Sequence, residues 1–196
     1  LYRYNLATIK ESVIWPPVYR GTTVSMETYS HGGGWSPKYQ EYWYPQWAGG
    51  TIYRYNAAYQ QVGSFSSGQG EMMQLWGDDD GSYYTANWGN NTVTKRVGLS
   101  STLLWSYNIG TTAGGVAADA NFVYAMAAGG LQVWKLNKAT GALVETFSLS
   151  GGSGTTLHGG LAVVGNELFA GRADAVLYRY SLTTKQLLGS AGLATN

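Results

Sequence analysis

The sequence predicts an all-β fold assembled from repeated units of four short antiparallel strands. Three observations predict it: a composition rich in aromatics and glycine, a short motif that recurs along the chain, and a constant offset between two aromatic-rich units. Among 196 residues there are 16 Tyr, 8 Trp and 28 Gly, while charged residues make up 12%. Aromatic side chains favour strands and glycine favours tight turns, so this is a β profile. At this length a single domain over 1–196 is expected, with a chain long enough to bury a sizeable core.

Leu1-Tyr-Arg-Tyr-Asn5 recurs as Ile52-Tyr-Arg-Tyr-Asn56 and Leu177-Tyr-Arg-Tyr-Ser181, with weaker copies at Val93-Thr-Lys-Arg-Val97 and Gln132-Val-Trp-Lys-Leu136. The starts are 51, 41, 39 and 45 residues apart. A period of about 40 to 45 residues holding four short strands is that of a β-propeller blade. With strands named A to D from the axis outward, the recurring motif is strand C.

The elements follow in order. Residues 1–18 supply a C and a D strand with no A or B before them, a half blade. The first complete unit spans 31–66 and the second 72–108, related by an offset of 41: Trp35 matches Trp76, Tyr42 and Trp43 match Tyr83 and Tyr84, and Trp47 matches Trp88. The third spans 114–148, with strands at Gly115–Asp119 and Phe122–Met126 and a hairpin around Asn137-Lys-Ala-Thr-Gly141. The fourth spans 159–191, with strands at Gly160–Val164 and Glu167–Ala170. Sustained helical periodicity with caps is absent, so few and short helices are expected.

The expected architecture is therefore a β-propeller of four complete four-stranded blades plus an N-terminal half blade. An unpaired half blade exposes strand edges that invite association. Either self-association with a neighbouring chain or a longer parent chain is expected to complete it. The chain begins without an initiator Met, and we expect a segment of something longer.

Several function classes are set aside by composition. Twelve basic and eleven acidic residues nearly cancel without forming runs, which leaves no footprint for nucleic acid. No apolar run approaches the roughly 18 residues of a membrane span. The absence of cysteine removes disulfides, thiolate metal sites and cysteine nucleophiles.

The segments Gly114-Gly-Val-Ala-Ala-Asp119, Val123-Tyr-Ala-Met126, and Tyr83-Tyr-Thr-Ala-Asn-Trp-Gly-Asn-Asn91 leading into Thr92-Val-Thr-Lys-Arg96 resemble the NHL class of short-blade β-propeller. They share its glycine-led inner strand, aromatic second strand and Asn-rich turn. The resemblance covers residues 31–191. It implies mostly protein or RNA interaction modules, with a few lyases, and does not by itself choose a function.

Both histidines hold one repeat position, His31-Gly-Gly and His158-Gly-Gly, just ahead of an A strand. That position opens on the mouth of the central channel, where side chains of different blades converge. The equivalent second-blade residue is Met72, with Glu71 beside it. His31 and His158, with Glu71 as a carboxylate, could hold a divalent metal; equally, the imidazoles could bond to backbone or water with no cofactor. Trp47 and Trp88 precede the B-to-C turns on the same rim. The rim of His31, Trp47, Met72, Trp88 and His158 is the expected binding face.

Other motifs carry less chemistry. His31-Gly-Gly-Gly34 resembles an oxyanion segment but lacks the nucleophile elbow that would use it. Asp78-Asp-Asp-Gly81 could suit calcium, although its alignment with Pro37–Gln40 reads as a solvated A–B hairpin turn. Asn90-Asn-Thr92 is a glycosylation sequon that fits a secreted protein. The leading expectation is a non-catalytic, extracellular or cell-surface module that binds a protein or glycan or self-assembles through its incomplete blade. The alternative is a metal-dependent lyase or hydrolase at the channel mouth.

Overall fold

The computed structural model describes residues 31–157 and 160–192. The half blade expected over 1–18 and His158 lie outside them. Within them are sixteen strands and no helix. The first sheet is β1 (Gly34–Ser36), β2 (Glu41–Pro45), β3 (Thr51–Tyr55) and β4 (Gln61–Ser66). The second is β5 (Met72–Gly77), β6 (Tyr83–Asn87), β7 (Thr92–Arg96) and β8 (Leu103–Asn108). The third is β9 (Ala113–Ala118), β10 (Phe122–Ala127), β11 (Gln132–Asn137) and β12 (Leu143–Ser148). The fourth is β13 (Leu161–Val164), β14 (Glu167–Gly171), β15 (Val176–Ser181) and β16 (Leu187–Gly192).

Each sheet is an antiparallel meander in sequence order. The first strand of each packs against the first strand of the next, β1 on β5, β5 on β9 and β9 on β13. This is a four-blade β-propeller arrangement with the A strands innermost. No helix among the described residues is long and apolar enough to cross a membrane.

Burial follows from position in the blade. All six residues of β9 are buried, whereas five of the six in β12 are exposed. Because strand side chains alternate between faces, a middle blade feeds two interfaces. On β10, Val123, Ala125 and Ala127 join the core shared with the second blade, while Tyr124 and Met126 join the core shared with the fourth. That is why these strands read as unbroken apolar runs. Exposed aliphatic side chains collect instead on the outer strands, at Val62, Leu103, Leu104, Leu143, Val144 and Leu188.

The recurring motif has a structural cause. In all four blades the pairing between C and D strands shifts register immediately after one basic residue: Arg54, Lys95, Lys135 and Arg179. Each reaches back toward strand B of its own blade. Arg54 grips Glu41 through Nε at 2.7 Å and a second nitrogen at 2.6 Å, and Arg179 grips Glu167 at 3.0 and 2.7 Å. Lys95 lies 3.2 Å from Asp80, and Lys135 lies over the Phe122 ring at 3.9 Å. The bulge places Lys135, not Trp134, at the position of Arg54. The third-blade copy therefore begins at Val133, one residue later than the sequence match at Gln132.

Close packing at the axis explains the small residues of the A strands. Gln74 is buried, and its carboxamide oxygen accepts from the Val116 and Leu161 amides at 3.0 and 3.1 Å while its nitrogen donates to the Leu161 carbonyl at 2.7 Å. One side chain thus ties the second blade to the third and fourth. A Cβ on Gly115 would stand 2.8 Å from the Leu161 Cβ and 3.0 Å from the Gln74 oxygen, so only glycine fits.

Candidate functional site

The two ends of the blades are built differently. One end carries the B–C turns and the links between blades. Strand β2 stops at Pro45 and β6 at Asn87, and each is followed by a turn led by a tryptophan one or two residues on. The link between the first two blades is held between these turns, since the Glu71 amide donates to the Trp47 carbonyl and the Trp88 amide donates to the Glu71 carbonyl. Glu71 adopts the left-handed conformation, φ 54°, which turns the chain from the link into β5.

This geometry brings three rings together. His31 meets Trp47 edge to face with centroids 4.9 Å apart, and Trp47 meets Trp88 in the same manner at 6.1 Å. His31 and Glu71 are exposed and the two indoles half-buried. Met72, expected on this rim, is instead fully buried and packs with Trp43, Ile52, Leu75 and Tyr83. Its backbone pairs with Asn87 ahead of an irregularity in β5, and the core of the first blade pair claims its side chain. Among the described residues no three His, Asp or Glu side chains gather as metal ligands; the expected third member, His158, lies outside them. Asn90 is exposed on the neighbouring turn, where its side-chain oxygen accepts from the Thr92 amide at 3.2 Å and from the Thr92 hydroxyl.

The opposite end carries the A–B and C–D turns and contains a cavity of about 470 Å³. It lies where the A strands of the first three blades end, and Trp35, Trp76, Asp78, Asp79, Asp119 and Lys138 line it. The two indoles are repeat partners. They come from adjacent blades whose backbones touch: a Cβ on Gly77 would lie 2.5 Å from the Trp35 carbonyl oxygen, so a side chain there would force the blades apart.

The carboxylates of this cleft are tied into the fold. Asp78 is buried, which corrects the reading of Asp78–Asp80 as a solvated turn; only Asp79 and Asp80 are exposed. Asp78 accepts the Tyr84 hydroxyl at 2.7 Å and its own neighbour's amide at 2.9 Å, and pairs with Lys138 at 2.7 Å. Asp119 accepts the Tyr124 hydroxyl at 2.9 Å and the Asn121 and Phe122 amides at 2.7 Å. Lys138 also donates to the Asp119 carbonyl at 2.9 Å.

Burial, reinforced by the carboxylate each hydroxyl serves, pushes Tyr84 and Tyr124 above the ordinary tyrosine range. Burial alone raises Tyr83 to about 12, against the pull of Arg96. For Asp80 burial pushes upward, but hydrogen bonds from Ser82 and Lys95 outweigh it and hold the carboxyl below its usual value.

Turn positions in the sequence point to the first rim but not to the cleft. Trp35 and Trp76 are visible as an offset pair, yet nothing in the sequence links Asp78 to Lys138, which lie in different blades.

No family model and no curated protein matches the sequence. Solved structures do match the fold. A glutaminyl cyclase from Myxococcus xanthus aligns with a TM-score of 0.66 at 14% identity, over 84% of this chain and 71% of that one. A hydrazine synthase from Kuenenia stuttgartiensis gives 0.62 at 12% identity, over 87% and 51%. A protein of unknown function from Desulfotomaculum acetoxidans DSM 771 gives 0.61 at 17% identity, over 90% and 62%. This chain thus spans roughly half to seven-tenths of the length of the proteins it resembles. At such identities the likeness is one of architecture, and what it shows is the β-propeller.

Proposed function

We propose that this propeller is a non-catalytic binding module that takes a glycan on the rim formed by His31, Trp47 and Trp88. The observation that carries the reading is the contiguous run of three rings, in mutual contact yet left partly open to solvent. Burying such rings is favourable, so leaving them at a surface suits a ligand whose apolar C–H faces can cover them. The exposed Glu71 carboxylate beside them offers acceptors for hydroxyl groups.

A glycan array probed with the full chain and with Trp47→Ala and Trp88→Ala tests this. Each substitution is expected to weaken the bound glycan by about tenfold, the loss of one stacked ring. An array with no bound glycan, or binding that both variants leave unchanged, overturns it.

A further inference from the structure

The cleft at the opposite end has a chemistry of its own, independent of the rim. Two half-buried indoles line it. Three aspartates face it against one lysine. Lys95, 3.2 Å from Asp80 and 3.9 Å from Asp78, and Lys38, which donates to the Asp80 carbonyl at 3.0 Å, are not among the lining residues and gather at the exposed Asp80. The cavity is therefore negative.

Its polar atoms are nevertheless mostly committed. Asp78 is engaged by Tyr84, Lys138 and a backbone amide, and Asp119 by Tyr124 and two backbone amides. The one lining carboxylate without a side-chain hydrogen bond among the described residues is that of Asp79, which is exposed at the mouth. A sugar needs many free donors and acceptors in fixed places. A cation that makes few hydrogen bonds needs the reverse: aromatic faces, a negative field and little else. The volume lies within the range of small-molecule sites.

From this combination we infer that the cleft between Trp35 and Trp76 is a binding site for an organic cation of the quaternary or methylated ammonium class. The indoles meet the methyl groups and the charge through their faces, Asp79 supplies the counter-charge at the mouth, and the pinned Asp78 and Asp119 hold the field without moving.

Isothermal titration calorimetry of the full chain with tetramethylammonium chloride tests the site, with sodium chloride and methyl β-D-glucopyranoside as parallel titrants. Saturable heat with tetramethylammonium and none with the other two is expected. Asp79→Asn, which removes charge but no fold contact, is expected to weaken binding about threefold to tenfold. Trp35→Ala should weaken it about tenfold or more, and Trp35→Phe, which keeps an aromatic face and guards against misfolding, less than Trp35→Ala. Trp47→Ala should leave it unchanged, which separates this site from the glycan rim. Absence of saturable tetramethylammonium binding, equal binding of the glucoside, or binding indifferent to both Asp79→Asn and Trp35→Ala overturns the assignment.

Discussion

The two ends of this propeller each carry an offset pair of tryptophans, from different repeat positions and in opposite surroundings. On the B–C rim the offset pair Trp47 and Trp88 is held by ring contacts and backbone hydrogen bonds from the blade link. On the A–B rim the offset pair Trp35 and Trp76 stands over carboxylates locked by tyrosine hydroxyls, backbone amides and a lysine from the third blade. The first rim is aromatic and half-open, whereas the second is charged and pre-organised. A repeat thus duplicates positions, but the field around each copy comes from residues the repeat does not include.

Stability measurements can break this contrast between the rims. The largest effect is expected from Asp78→Ala, which strands a buried Tyr84 hydroxyl and leaves Lys138 without its carboxylate. A loss of about 3 kcal/mol is expected in chemical denaturation, and Asp78→Ala combined with Lys138→Met should recover part of it. A cost below about 1 kcal/mol would mean that the charged rim is not pre-organised. The aromatic rim should be more tolerant: Trp47→Ala is expected to cost about 1 kcal/mol, because its ring is already half in water. A loss equal to that of Asp78→Ala would erase the distinction.

The smallest effect is a pH dependence. The hydrogen bond from Arg54 holds the Glu41 carboxyl below its usual value, against the opposing pull of burial. A carboxylate depressed in the folded state adds stability that is present above its unfolded value, near pH ~4.3, and is lost as pH falls through the folded one. Asp80 shifts in the same direction but is 58% exposed in its side chain, so solvent screens most of its effect. Glu41→Gln should therefore flatten the acid limb of stability against pH by less than about 1 kcal/mol. An unchanged limb would mean that the Glu41–Arg54 pair plays no part in acid sensitivity.

What could be read from the sequence depended on the range of the interaction. The strand C motif is readable because each copy acts locally. Its basic residue reaches a partner on the adjacent strand of the same blade, as Arg54 reaches Glu41 and Arg179 reaches Glu167. The bulge after it follows a basic residue in every blade, but the third-blade match set Trp134 rather than Lys135 against Arg54 and so starts one residue early. Met72 shows the same limit: its repeat position matches His31, but only the packing of Trp43 and Tyr83 around it makes it core.

Composition, the period and the turn residues by themselves determined an all-β propeller of four-stranded blades, because alternation and turn chemistry act over a few residues and repeat. Tertiary structure alone decided which side chains of different blades share a field. Gln74 reaches Leu161 across the axis, and Lys138 reaches Asp78 from the third blade to the second. Such contacts depend on how blades sit beside one another, and no local pattern of residues encodes that distance.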